Sequence, residues 1–152
     1  MKKNLFLLLI LAVSLVSCSE KTVDLPAPDA LFSAINDTVE LAEMVDVSED
    51  FLESNLGILD GDYDSAVYYI PAIGSSCEEI IIVRAKDEAA AARNYEKLEA
   101  RLAYVEKSAG NYLTEHLPMI ANAMLRRDGL TASLVISDHV KEIETIYNGY
   151  TK

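Results

Sequence analysis

Basic residues are scarce in this chain: 13 lysines and arginines stand against 25 aspartates and glutamates, for a net charge of −12. Phosphate recognition needs concentrated Lys and Arg, so the composition excludes nucleic acid as a partner. Adsorption to anionic lipid through a polybasic segment is excluded on the same ground. Histidine is scarcer still. His116 and His139 are the only two, and neither has a cysteine or second histidine at metal-ligand spacing, so no zinc site is expected. A long apolar run is also missing. Leu5 to Val16 spans 12 residues, about 18 Å as a helix against about 30 Å of hydrocarbon, too short to cross a bilayer. No G-x-S-x-G elbow occurs, and Gly74-Ser75-Ser76 is too short for a phosphate-cradling loop and lacks a following Lys-Ser or Lys-Thr. No cofactor is expected.

What the N-terminus does have is informative. Lys2-Lys3, the apolar stretch and Leu15-Val16-Ser17-Cys18 have the order of a secretory signal that ends in a lipobox. Cleavage by the general signal peptidase would also tolerate Val16-Ser17-Cys18, but a cysteine directly after Leu-Val-Ser favours lipidation. Residues 1–17 then form the signal, and Cys18 becomes the first mature residue and carries the lipid. Two acyl chains provide stable anchoring. The expected location is the extracytoplasmic face of the cell membrane, with the membrane engaged through Cys18. Cleavage removes Lys2 and Lys3 and no acid, so the mature chain is more negative still. With Cys18 occupied, Cys77 has no disulfide partner, and the domain depends on its core for stability. Residues 18–28 read as the lipidated cysteine and a proline-punctuated tether, and 29–152 as one domain.

Along that domain, Pro28-Asp29 opens a short helix with Leu31, Phe32 and Ile35 on one side. Ser48 is placed to cap a second helix carrying Phe51 and Leu52, ended by Gly57. Ser65 to Ile70 reads as a strand closed by Pro71, and Glu79 to Val83 as a central strand, apolar on both faces. Asp87 caps a long helix over residues 88–108. Ala91, Tyr95, Leu98, Leu102 and Val105 lie inward, while Arg93, Glu96, Lys97, Arg101 and Lys107 lie on the opposite side. The apolar runs Ile120–Leu125 and Leu130–Ile136 flank Asp128-Gly129, a hairpin signal with positive φ expected at both central positions. Alternation in the second run predicts one buried and one largely wet face. Ser137 or Asp138 is placed to cap a last helix with Val140, Ile143, Ile146 and Tyr147 inward. The order α-α-β-β-α-β-β-α predicts an α+β domain with an antiparallel sheet of about four strands.

Candidate chemistry is thin. Asp60, Asp62 and Asp64 alternate as in a calcium loop, but Ser65 and Pro71 stand where an EF-hand requires Gly and Glu. Glu78 and Glu79 beside Cys77 disfavour its thiolate, so no reactive cysteine is expected. Tyr68 and Tyr69, being adjacent in a strand, must face opposite ways. One is expected in the core, and the other could form a contact patch with Asp62 and Tyr63. That patch of Asp62, Tyr63, Tyr68 and Tyr69 is the candidate binding site; no residue is assigned to catalysis or to metal.

Several scattered features together resemble one family. After the lipobox come a short-helix region ending in Leu56-Gly57-Ile58, then Ile70-Pro71-Ala72 and Glu79-Ile80. Arg84-Ala85-Lys86-Asp87 opens an alanine-rich helix containing Arg101-Leu102, followed by Tyr112, Pro118 and an asparagine-containing strand leading to a Gly turn. From Leu31 to Tyr147 the chain resembles the bacterial lipoproteins grouped as domain of unknown function 4358. The resemblance implies an anchored, exported domain and brings no catalytic residues with it. The expected role is a non-enzymatic module that binds a protein or cell-envelope partner. The alternative is a carboxylate-dependent envelope hydrolase using Glu78, Glu79 and the 60–64 loop.

Overall fold

A computed structural model describes residues 25–73 and 76–151 of the chain. The signal, Cys18 and the tether as far as Asp24 lie outside the described residues. In chain order the elements are α1 (Pro28–Thr38), β1 (Met44–Asp46), α2 (Ser48–Leu56), β2 (Tyr63–Pro71), β3 (Glu79–Ala85), α3 (Glu88–Tyr112), α4 (Leu117–Ala121), β4 (Met124–Asp128), β5 (Thr131–Ile136) and α5 (Val140–Tyr150). The domain is α+β as expected, but its antiparallel sheet has five strands, ordered β1-β2-β3-β5-β4. The added strand, β1, pairs Met44, Val45 and Asp46 with Pro71, Ile70 and Tyr69 at the sheet edge.

β3 lies at the centre, and its sequence requires that position. Ile80 and Ile82 point into one core with Leu31, Ile35, Ile143 and Tyr147 from α1 and α5. Ile81 and Val83 point into the other, with Leu52 and Leu56 of α2, Leu98 and Val105 of α3, and Ile120 of α4. An uninterrupted apolar strand is stable only where helices cover both faces of the sheet, and here they do. The same double cover corrects the reading of β5. All six of its residues are buried, including Thr131 and Ser133, because α5 covers the face that the alternation leaves polar.

Several local expectations need correction. The run Ile120–Leu125 divides: Ile120 and Ala121 finish α4, and the strand begins only at Met124. The boundary falls at Asn122-Ala123, where one polar residue, the C-cap of α4, interrupts the run. Asp128 pairs with Thr131, which makes Gly129-Leu130 the two-residue loop. Gly129 has φ 57° and no residue other than glycine has positive φ among those described, so only the first central position uses the left-handed region. Gly129→Ala should therefore lower stability by about 1 kcal/mol, read from the urea midpoint.

Ser48 is the first residue of α2 rather than its cap, with Val47 before it. Its amide donates to Asp46 Oδ1 at 2.9 Å, and its hydroxyl accepts from the Tyr68 amide at 2.7 Å, tying α2 to β2. Likewise His139, not Ser137 or Asp138, precedes α5, and no side chain caps that helix. The cap of α3 is as expected: Asp87 Oδ1 accepts from the Ala90 amide at 2.7 Å. The helix then runs on to Tyr112, beyond the predicted end at 108. At the N-terminal side Leu25 is 2 % exposed, and its carbonyl accepts from Arg84 Nη1 at 3.2 Å. Leu25 thus belongs to the folded domain, although it falls within the stretch expected to be tether.

Candidate binding cleft between α2 and α3

Gly57, at φ 65°, ends α2 and turns the chain beneath α3. Along α3, Arg93, Lys97 and Arg101 recur at four-residue spacing, so they share one side of the helix, with Tyr104 three residues further on. Between the two helices lies a cavity of about 420 Å³ lined by Ser54, Asn55, Leu56, Lys97, Ala100, Arg101 and Tyr104. A smaller one of about 190 Å³ adjoins it, lined by Phe51, Tyr68, Ile70, Glu78 and Glu79 among others, and both share Asn55 and Arg101.

Arg101 is the hinge between them, and it corrects its placement on the solvent side of α3. Its guanidinium turns toward the sheet and grips Glu79 with two donors: Nε donates to Oε2 at 3.0 Å, and Nη2 donates to Oε1. Tyr68 Oη also donates to Oε2, at 3.2 Å. Glu79 is 6 % exposed, so this forked pair and a hydroxyl replace the water its carboxylate gives up. Burial works against the Arg101 charge, but the bond and charge of Glu79 prevail and hold its pKa above the ordinary arginine value. Burial and then the Glu79 charge push the Tyr68 phenol well up, so it remains a neutral donor. On the outer side, the Arg101 guanidinium carbon lies 5.4 Å from the centroid of the Tyr104 ring, which is 63 % exposed.

Lys97 Nζ donates to the Gly57 carbonyl and lies 3.7 Å from Asp62 Oδ2. Arg93 Nη2 donates to Asp62 Oδ1 at 2.6 Å. The Arg93 bond is the main cause of an Asp62 pKa below the usual aspartate value, burial opposing and the charges of Arg93 and Lys97 assisting. A depressed carboxylate pKa contributes stability above the unfolded value, and that contribution is lost as pH falls through the folded one. Wild type should therefore exceed Asp62→Asn in urea midpoint at neutral pH, with the gap closing below about pH 4. A gap constant from pH 7 to acid would contradict the pairing.

The four residues of the predicted patch do not come together. Asp62 sits against Arg93 and Lys97, and Tyr63 Oη donates to Asp60 Oδ1 at 3.0 Å. Tyr68 is buried beneath the cleft, bonded to Glu79. Tyr69 lies across the sheet, stacked on Phe32 with ring centroids 3.5 Å apart. Sequence reasoning missed Asn55, Lys97, Arg101 and Tyr104. The available signal was Glu79 itself: a carboxylate opening an otherwise apolar central strand requires a cationic partner, and α3 offers a row of them.

Both glutamates considered for hydrolysis are engaged. Besides Glu79, Glu78 Oε1 accepts from Ser137 Oγ at 3.1 Å. Burial, then the charges of Glu79 and Glu115, raise the Cys77 thiol pKa, which disfavours thiolate. Among the described residues no helix is long and apolar enough to cross a membrane.

These features define a helix-covered, antiparallel α+β domain whose polar cleft opens between two helices on one face. The family model described as domain of unknown function (DUF4358) matches residues 37–137, and the chain belongs to that family. The matched segment is narrower than the resemblance drawn from sequence. It takes in the sheet and the cleft but leaves out α5 and nearly all of α1. No curated protein and no solved structure matches the chain.

Proposed function

We propose that this protein is a membrane-anchored, exported lipoprotein that acts without catalysis, binding a partner at the cell surface through the α2–α3 cleft. The observation that carries the reading is the cleft's construction. Its central cation is held by a buried carboxylate that also accepts from a buried phenol, an arrangement that presents a fixed surface rather than a free acid or nucleophile. A retaining or inverting hydrolase needs two carboxyls facing its substrate. Here Glu79 is committed to Arg101, and Glu78 to Ser137.

Anchoring suits the same picture. Seven steps along the chain take Cys18 to Leu25, a reach of at most about 25 Å. Leu25 docks at the Arg84 end of β3, whereas Glu79 and the cleft lie at its other end, about 17 Å along the strand. A lipid on Cys18 therefore joins the domain through Leu25, at the end of β3 opposite the cleft. Wild type should partition into the detergent phase and Cys18→Ala into the aqueous phase; equal partitioning of the two would remove the anchor.

Binding and hydrolysis are separated by one experiment. Incubated with washed cell-envelope material, the full chain should co-sediment with it, and no soluble fragments should accumulate. Fragment release that disappears in Glu78→Gln would establish the hydrolase instead.

A further inference from the structure

Resting on that reading of the cleft, we infer that its ligand is a saccharide unit bearing a single anionic group, a carboxylate or a phosphate. The charge balance is the first ground. In a chain where acids outnumber bases 25 to 13, the larger cavity is lined by Lys97 and Arg101 and by no acid. Elsewhere the signs mix: Asp138 and Lys141 share one cavity, and Glu96 and Arg127 another. Arg101 is not used up by Glu79. The pair takes donors from Nε and Nη2 alone, which leaves Nη1 without a partner among the described residues. A guanidinium anchored at one edge and open at the other is preorganised for an oxyanion.

The second ground is shape. A pyranose presents C–H bonds on its face and hydroxyls around its edge. Tyr104 offers an exposed ring already backed on one side by Arg101, so its other side is a platform for that face. Asn55, whose side-chain amide has no partner among the described residues, adjoins it. Ser54 Oγ donates to the Asp50 carbonyl and keeps its lone pairs for a ligand hydroxyl. The volume of about 420 Å³ falls within the range of small-ligand sites, about 300–1,000 Å³. An acidic peptide is the weaker fit, since beyond the Tyr104 ring only Leu56 and Ala100 in the lining are apolar. A long polyanion is opposed by the net charge of −12, which makes a singly charged unit the matching ligand.

The test is calorimetric titration of the full chain in detergent with cellobiouronic acid, cellobiose 6-phosphate, neutral cellobiose and N-acetyl-tetraglutamate. At least one charged disaccharide should bind about tenfold or more tightly than cellobiose, more weakly as salt rises. The two charged sugars distinguish carboxylate from phosphate. Tyr104→Ala and Asn55→Ala should each weaken that binding several-fold with unfolding midpoints unchanged, and Tyr104→Phe should restore it. Arg101→Lys, which keeps the charge and loses the planar fork, should weaken it as well. Equal binding of cellobiose, preference for the peptide, or no binding of any sugar would overturn the inference. Those results leave the binding-module reading standing, because that reading fails only on its own envelope assay.

Discussion

Leu98→Ala is expected to lower stability by about 2–5 kcal/mol, the range for truncating a large apolar side chain in a packed core. Leu98 is wholly buried midway along α3, in the cluster with Ile81, Leu134 and Ile120 that joins the helix to the sheet. Sheet strands and helix both contact the vacated volume, so little of it can collapse. Leu102 is only partly buried against the same cluster, and its alanine variant should lose distinctly less. Lys107 is exposed, and Lys107→Ala should fall within about 0.5 kcal/mol of wild type. Urea midpoints order the three variants. Equal shifts for Leu98 and Lys107 would mean that α3 presents another face to the sheet.

Arg101→Met should cost about 3 kcal/mol for a different reason: it leaves the Glu79 carboxylate unpaired at 6 % exposure. Tyr68 would remain as a donor, which cannot replace a forked guanidinium. Adding Glu79→Gln to Arg101→Met removes the stranded charge and should recover much of the loss. The double-mutant cycle should therefore show strong positive coupling. Additive behaviour in that cycle would mean that the pair does not organise the floor of the cleft.

Legibility from sequence follows the length and contrast of each signal. β3 was readable because four consecutive apolar residues rich in β-branched side chains, Ile80 to Val83, suit a central strand. α3 was readable from the Asp87 cap and from the inward spacing of Ala91, Leu98 and Val105. β1 was not, because three residues, Met44-Val45-Asp46, cannot display an alternation. The start of β4 was hidden because a single polar residue, Asn122, separates the apolar end of α4 from the apolar start of the strand. The wet face expected of β5 failed because Thr131 and Ser133 are polar yet covered by tertiary packing, which local alternation does not report.

The cleft was the least legible part. Helical periodicity assigned Arg101 to solvent by its charge, whereas its side chain lies over the strand end to meet Glu79. A long amphipathic side chain can leave its nominal helix face to reach a buried partner. Tyr68 and Tyr69 were correctly separated by strand alternation, but which of them met the core was set by helices distant in sequence. Both did: Tyr68 lies under α2 and Tyr69 stacks on Phe32 of α1.

The most direct measurement of the central claim is backbone NMR mapping of the full chain titrated with enzymatically solubilised envelope glycans. The account predicts that amide shifts concentrate on Ser54, Asn55, Lys97, Ala100, Arg101 and Tyr104, with the glycans recovered at unchanged length. Shifts centred on Tyr69 and Phe32 across the sheet, or glycans shortened during the titration, would contradict it.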